Sequence, residues 1–492
     1  MKFNKILLGS LLVLGLGACN NEKGTDKGGD DTIKNAAYAQ LSLSFADDLV
    51  SKATTVRDSI TDAGSEAEQT ITNVNIIFVD KNNNNKIVHN ELIEKSRLTP
   101  DAISTAYNTP TFAVPEGTYT VYVGVNMGTL ANNFQKDGTF NADAFFSAVN
   151  GDATNYATSG NFLMTNYIHS AKEAILSRAD NTESNPLRIQ MEVNRAVAKI
   201  EYNPGRPART FTFDVSTTSG GTAGTVNTDL VAMQPVLLNT VSYVFGHYTA
   251  PNYIDPNFGD NTSQGNLTDA SNIDIDNMES LGNTTSPAYP SIYCLENTDA
   301  TTVGGNPTPA NHFTGIMFQA KHTPETDMFH TDVNLAIDAT LETNGTFFVY
   351  NNRFFANKTG FLAYYQDNST SSSYTAVEGL LTNVENDDYV MANSNTLMET
   401  YGIAVYYKGM SYYMATIGHS SSATPNDGQL TDMEYGVVRN HWYKVGVTSI
   451  SGFGDVTPDL PDDDEQVEEQ DANFQMEILI QPWTVILNDF AL

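Results

Sequence analysis

Cysteine is almost missing from this sequence: only Cys19 and Cys294 occur in 492 residues. That excludes a disulfide framework and a thiolate metal cluster, both of which need more sulfur. Basic residues are scarce as well, with 25 Lys and Arg against 58 Asp and Glu and a formal charge of −33. A field of that sign repels phosphate backbones and anionic lipid, so nucleic acid is not an expected partner. No HExxH, GxxxxGKS/T, GxSxG or spaced CxxC pair appears. The strong enzymatic signatures are therefore absent, and the sequence predicts neither an enzyme nor a cofactor.

What is present is a folding chain with an export signal. Hydrophobic residues make up 40% and aromatics 10%, enough apolar surface to offset chain entropy. Lys2 and Lys5 precede an apolar run at 6 to 16, followed by Leu16, Gly17, Ala18 and Cys19, which has the organisation of a secretory signal. Small residues before a cysteine resemble a bacterial lipobox, which implies cleavage after residue 18 and lipid on Cys19. No other stretch reaches the roughly 18 apolar residues of a membrane span. The polar, Gly-rich run after Cys19 reads as a tether.

Beyond it the patterning is mainly β. Ala39, Leu41, Leu43 and Phe45 alternate with polar residues, and Val74, Ile76 and Phe78 do the same, so two strands are expected with Arg57 in the loop between them. Residues 112–127 read as a hairpin turning at Pro115-Glu116-Gly117, and short strand-like runs recur to the end, which suggests sandwiches. One helix is expected at 141–151, with Asn141 as its N-cap and Gly151 as its stop. Residues 203–235, rich in Gly and Thr, read as long loops. Nine carboxylates and no base at 455–471 predict an extended, solvated segment that is either a loop or a spacer. The run FQMEILIQPWTVILNDFAL then returns to β patterning, with Ile486, Phe490 and Leu492 on one parity. Such an apolar end needs a partner surface, either its own domain or another chain.

Candidate chemistry is thin. Asp80, Asn82, Asn84 and Glu91 occupy calcium-loop positions one, three, five and twelve, but a strand precedes them and an Asn run also suits a hairpin turn. No metal is expected there. His322 and His330 lie in a polar stretch that fits solvent exposure, and Cys294 reads as a buried small hydrophobe. Paired carboxylates for glycoside hydrolysis would be indistinguishable from an acidic surface.

Taken in order, the lipobox, the early alternating strand, the loop Arg57, RAVAKIEY at 195–202, VVRNHWYKVGVTSI at 437–450 and the end MEILIQPW plus about nine residues resemble the type V pilins (fimbrillins) of Bacteroidales. The nearest likeness is to a minor-fimbrium shaft subunit. The resemblance implies a mainly β fold of two tandem β-sandwich domains, transthyretin-like or Greek-key, with a few short helices. It divides the chain into a signal peptide at 1–18, a lipidated propeptide at 19–57, an N-terminal domain at 58–200 and a C-terminal domain at 201–492. It further implies an outer-membrane lipoprotein precursor cut by an Arg-specific surface protease between Arg57 and Asp58. Cleavage would remove the strand of Ala39, Leu41, Leu43 and Phe45. Ile486, Phe490 and Leu492 of a second copy would replace it, building an extracellular homopolymer with accessory fimbrial subunits that supports adhesion and biofilm formation. The alternative reading is a membrane-retained anchor or a tip adhesin that binds a partner protein or host glycan.

Overall fold

The computed structural model describes residues 36–45, 64–100, 106–158, 161–202, 209–216, 223–259, 266–283, 286–382, 387–419, 430–462 and 474–482, with 33, 465 and 467 as single residues. Strands dominate, as the alternating runs predict, in a β-sandwich arrangement around two main cores. Strand β1 (Ala36–Phe45) places an apolar side chain at every second position, and Ala37, Ala39, Leu41 and Leu43 are fully buried. The short helix α1 (Glu66–Gln69) follows, then β2 (Asn73–Asp80), β3 (Lys86–Glu94), β4 (Tyr107–Asn108), β5 (Phe112–Pro115), β6 (Gly117–Val125), β7 (Met164–Thr165), β8 (Lys172–Leu176) and β9 (Leu187–Arg195). They pair in the order β3-β2-β6-β7-β9-β1-β4, with β5 also on β1 and β8 on β6. β9 joins two layers: Leu187 to Val193 run parallel to β1, whereas Asn194 and Arg195 pair with β7.

Only Ala196 separates β9 from β10 (Val197–Tyr202). The second core is built by β10, β11 (Thr210–Val215), β12 (Gly224–Val236), β13 (Ser291–Leu295), β14 (Gly315–Pro324), β15 (Met410–Thr416), β16 (His441–Ile450) and β17 (Phe474–Pro482). One sheet runs β13-β10-β16-β17 and the other β11-β12-β14-β15. Phe474 meets Phe318 at 5.4 Å and stacks on Tyr413 at 5.0 Å, so aromatic rings close the space between the sheets. Core membership changes over between Val197 and Ala198 within β10, while Val244, Phe245 and Trp442 pack with the N-terminal core. Between β14 and β15 an insertion holds a three-stranded sheet and the helices α2 (Lys358–Asn368), α3 (Ser371–Leu380) and α4 (Asp387–Tyr401), with a core of its own around Phe348, Phe355 and Phe361. Among the described residues no helix is long and apolar enough to cross a membrane.

Several expectations are corrected. Residues 112–127 are not a hairpin: β5 pairs with β1 and β6 with β2 and β8, so the chain changes layer at Glu116. The expected helix at 141–151 is a turn followed by a strand, Phe145–Ser147, paired with Val241–Tyr243. Asn141 Oδ1 accepts from the Asp143 amide at 3.1 Å, a local turn that competes with helix capping, and pairing with a distant segment decides the outcome. Residues 203–235 contain β11 and nearly all of β12, because threonine suits a half-buried pleated surface. The acidic segment is not wholly solvated. Asp455 exchanges two backbone bonds with Tyr412 at 2.9 Å each, and Val456, Thr457 and Val467 are buried.

His322 is likewise buried, not exposed. Its Nδ1 lies 2.8 Å from Thr228 Oγ1 and its Nε2 2.6 Å from Ser411 Oγ. Burial pushes its pKa down to about 3. The folded state therefore holds the ring neutral while the unfolded chain takes up a proton near pH 6.5, so stability present above that pH is lost as the pH falls toward 3. Acidification from pH 7 to 4.5 is expected to cost about 2–3 kcal/mol through this group. Denaturant titrations at the two pH values check it, with His322→Gln losing that part of the pH dependence.

Candidate functional site

β1 lies inside its sheet, between β9 and the β4 and β5 segments. On one side Ala39 faces Leu187 and Phe45 faces Val193, in parallel register. On the other side Ala37 pairs with Val114 and Leu43 with Tyr107, both antiparallel. Thr109 fills the step between these partners. The Leu41 amide donates to Thr109 Oγ1 at 2.9 Å, and the Thr109 amide donates to the Leu41 carbonyl at 2.9 Å. β1 carries no Asp, Glu, Lys or Arg, so main-chain pairing and apolar packing hold it. On its outward face Ser42 and Ser44 line a cavity of about 330 Å³ with Gln190, Glu192, Ser170 and Lys172. Taking β1 away would expose unpaired amides and an apolar floor over ten residues, which is unstable in water until another extended segment pairs there.

Of the residues singled out in the sequence, the structure therefore brings Ala39, Leu41, Leu43 and Phe45 into one groove, the first three fully buried. Cys19, Arg57, Asp58, Ile486, Phe490 and Leu492 lie outside the described residues. At the other end β17 pairs with β16 from Phe474 opposite Ile450 to Pro482 opposite His441, and Phe474, Met476 and Ile478 turn toward the second core. The calcium-loop residues are not gathered. Asp80 ends β2, Asn82 and Asn84 are exposed in the turn, and Asn84 and Asn85 both have φ 52°. Glu91 faces Ile76, roughly 13 Å along the strand from Asp80 at 3.3 Å per residue, whereas calcium needs its ligands converging at about 2.5 Å. Among the described residues no group of three His, Cys, Asp or Glu is placed to hold a metal ion. Cys294 is buried as expected, and burial pushes its thiol up to about 12.

A buried charged seam between the two cores escaped sequence reading. Glu68 Oε1 lies 2.9 Å from Lys199 Nζ and accepts from the Tyr293 hydroxyl at 2.6 Å, while Arg195 Nε donates to the Glu68 carbonyl at 3.1 Å. Burial raises the Glu68 carboxyl, but the Tyr293 and Lys199 contacts outweigh it and hold the group below its ordinary value. Burial pushes Arg195 down to about 9. Nearby, Arg439 Nε donates to Glu296 Oε2 at 3.0 Å, with both side chains at or below 1% exposure. The available signal was a lone base inside an apolar strand, Lys199 in VAKI.

Residues 404–489, which include β15, β16 and β17, match the family described as major fimbrial subunit protein type IV, fimbrillin, C-terminal. This stretch is similar to the C-terminal region of fimbrillins. The matched region contains β17, the strand that leads into the apolar tail. Among curated proteins none matches the sequence. Solved structures are similar at a distance. The tip fimbrial protein Mfa3 of Porphyromonas gingivalis, with C-terminal truncation, is 11% identical over 91% of this chain and 100% of that one, with a TM-score of 0.39. A fimbrilin, FimA, from Porphyromonas gingivalis W83 is 14% identical over 92% and 99%, at 0.40. A fimbrial assembly protein of Parabacteroides distasonis is 12% identical over 59% and 99%, at 0.27. Likeness at that level assigns neither a role nor a partner.

Proposed function

We propose that this fimbrial protein is a structural shaft subunit of cell-surface fimbriae, exported as an outer-membrane lipoprotein lipidated on Cys19. An Arg-specific surface protease cuts between Arg57 and Asp58, and subunits then join head-to-tail by strand exchange, together with accessory fimbrial subunits. The observation that carries this reading is β1: a buried interior strand, free of charged side chains, contributed by residues upstream of Arg57. One cut behind it separates both the strand and the lipid from the body. The groove it would leave and the tail of another copy are different surfaces of identical chains, so their contact is heterologous and propagates unless it closes a ring. No catalytic group is needed for this role.

Arg57→Ala tests it directly. The variant is expected to remain membrane-bound and monomeric, and N-terminal sequencing of surface-sheared wild-type protein is expected to begin at Asp58. Normal fimbriae from the variant would overturn the assignment of Arg57. Wild-type protein that keeps its acylated Cys19 would favour a membrane-retained anchor.

A further inference from the structure

Residues 65–73 are pinned to both cores at once. The Ser65 amide donates to Glu68 Oε2 at 2.5 Å and closes α1 as a capping box. Glu68 reaches across to Lys199 on β10 and Tyr293 on β13, both strands of the second sandwich, and Arg195 holds its carbonyl. Four residues on, the grip passes to the first sandwich. Asn126 Oδ1 accepts from the Thr72 amide and hydroxyl at 2.8 Å each, and Asn126 Nδ2 donates to the Thr70 carbonyl at 2.8 Å. Asn126 is buried and has φ 55°, a left-handed backbone that aims its side chain into this turn. Ile71 between them is buried in the N-terminal core.

We propose that this stretch is a clasp, with Glu68 as its positioning residue, that keeps the chain end created by a cut between β1 and α1 from fraying into β2. The proposal rests on the reading that such a cut occurs. In the uncut chain the stretch between β1 and β2 is tethered at both ends by paired strands, so a local opening closes again readily. After a cut the same residues are a terminus, and termini fray unless they are tied down. β2 is the next strand and is buried from Val74 to Val79. Its loss together with β1 would strip two strands from one core, whereas a closed clasp confines the damage to β1. The charges are placed to resist opening: releasing Glu68 would leave Lys199 and Arg195 buried without its carboxylate and carbonyl.

The test uses full-length protein cut by trypsin at Lys52 or Arg57 and then exposed to an aminopeptidase. Wild-type trimming is expected to stop before Glu68. In Glu68→Ala it is expected to pass Thr72, with hydrogen exchange over Val74–Val79 roughly 100-fold faster than in cut wild type. Before the cut the same variant is expected to show a smaller acceleration over Val74–Val79, about tenfold or less, because the tethered segment recloses. Tyr293→Phe, which removes one hydrogen bond and no charge, is expected to give a partial effect of about tenfold in the cut protein and serves if Glu68→Ala does not fold. Trimming of wild type past Glu68 would overturn the clasp. Equal acceleration in cut and uncut Glu68→Ala would reduce Glu68 to an ordinary stability residue. Trypsin makes the cut here, so normal fimbriae from Arg57→Ala would remove the assembly reading and leave this result standing.

Discussion

Ending the chain at Thr484 is expected to give a protein that folds and is processed at the surface yet stays monomeric. β17 survives this truncation entirely, so the pairing from Phe474 to Pro482 and the ring contacts of Phe474 with Phe318 and Tyr413 are retained. What is lost is Val485 to Leu492, with Ile486, Phe490 and Leu492 on one parity. Under the strand-exchange reading these side chains replace Leu41, Leu43 and Phe45 in the next copy. Each large side chain buried contributes about 1.5–3 kcal/mol, so three give about 5–9 kcal/mol before any main-chain pairing. Removing them weakens association by at least roughly four orders of magnitude. Size-exclusion chromatography with light scattering reads the outcome, and electron microscopy shows whether filaments form. Polymers of ordinary length from the truncated protein would end the donor-strand assignment.

The second large effect is on stability. Arg439→Ala is expected to destabilise the fold by about 3–5 kcal/mol, because it removes the cation beside Glu296 while that carboxylate stays fully buried. Arg439 Nη2 also donates to Ser242 Oγ at 2.8 Å and to the Tyr243 carbonyl at 2.9 Å, so the substitution unties the strand at 241–243 that pairs with Phe145–Ser147. A double-mutant cycle with Glu296→Gln, followed by urea titration, separates the two contributions. If the carboxylate is the main source of the cost, the double variant recovers most of it. A single-variant loss under about 1 kcal/mol would mean the pair is not a stabilising contact.

The groove was legible in the sequence because period-2 alternation reports a half-buried strand, and Ala39, Leu41 and Leu43 are buried together as that pattern requires. What surrounds the groove was not legible. β1 pairs with Leu187–Val193, well over a hundred residues away, and alternation says nothing about which distant strand will be the partner. The same blindness explains residues 112–115, which look like half of a hairpin but follow β1 into the other layer. His322 looked exposed because its neighbours in sequence are polar, yet in β14 every second residue turns inward and Thr228 and Ser411 satisfy the ring. His419 and His441 bring their rings to 5.2 Å from two separate segments, a proximity that no spacing rule could find. The seam was hidden for a related reason: Glu68, Lys199, Tyr293 with Glu296, and Arg439 come from four separate stretches of chain.

The passage from β9 to β10 through Ala196 alone also bears on mechanics. Two lobes joined by a flexible linker would swivel, whereas here one nearly continuous strand crosses the boundary and buried ion pairs brace it on either side. Swivelling between the two cores is thereby opposed. Under the strand-exchange reading, a filament of such units concentrates its bending at the contacts between successive copies, so the length of the inserted tail, rather than anything inside the lobes, would set how tightly the fibre can curve.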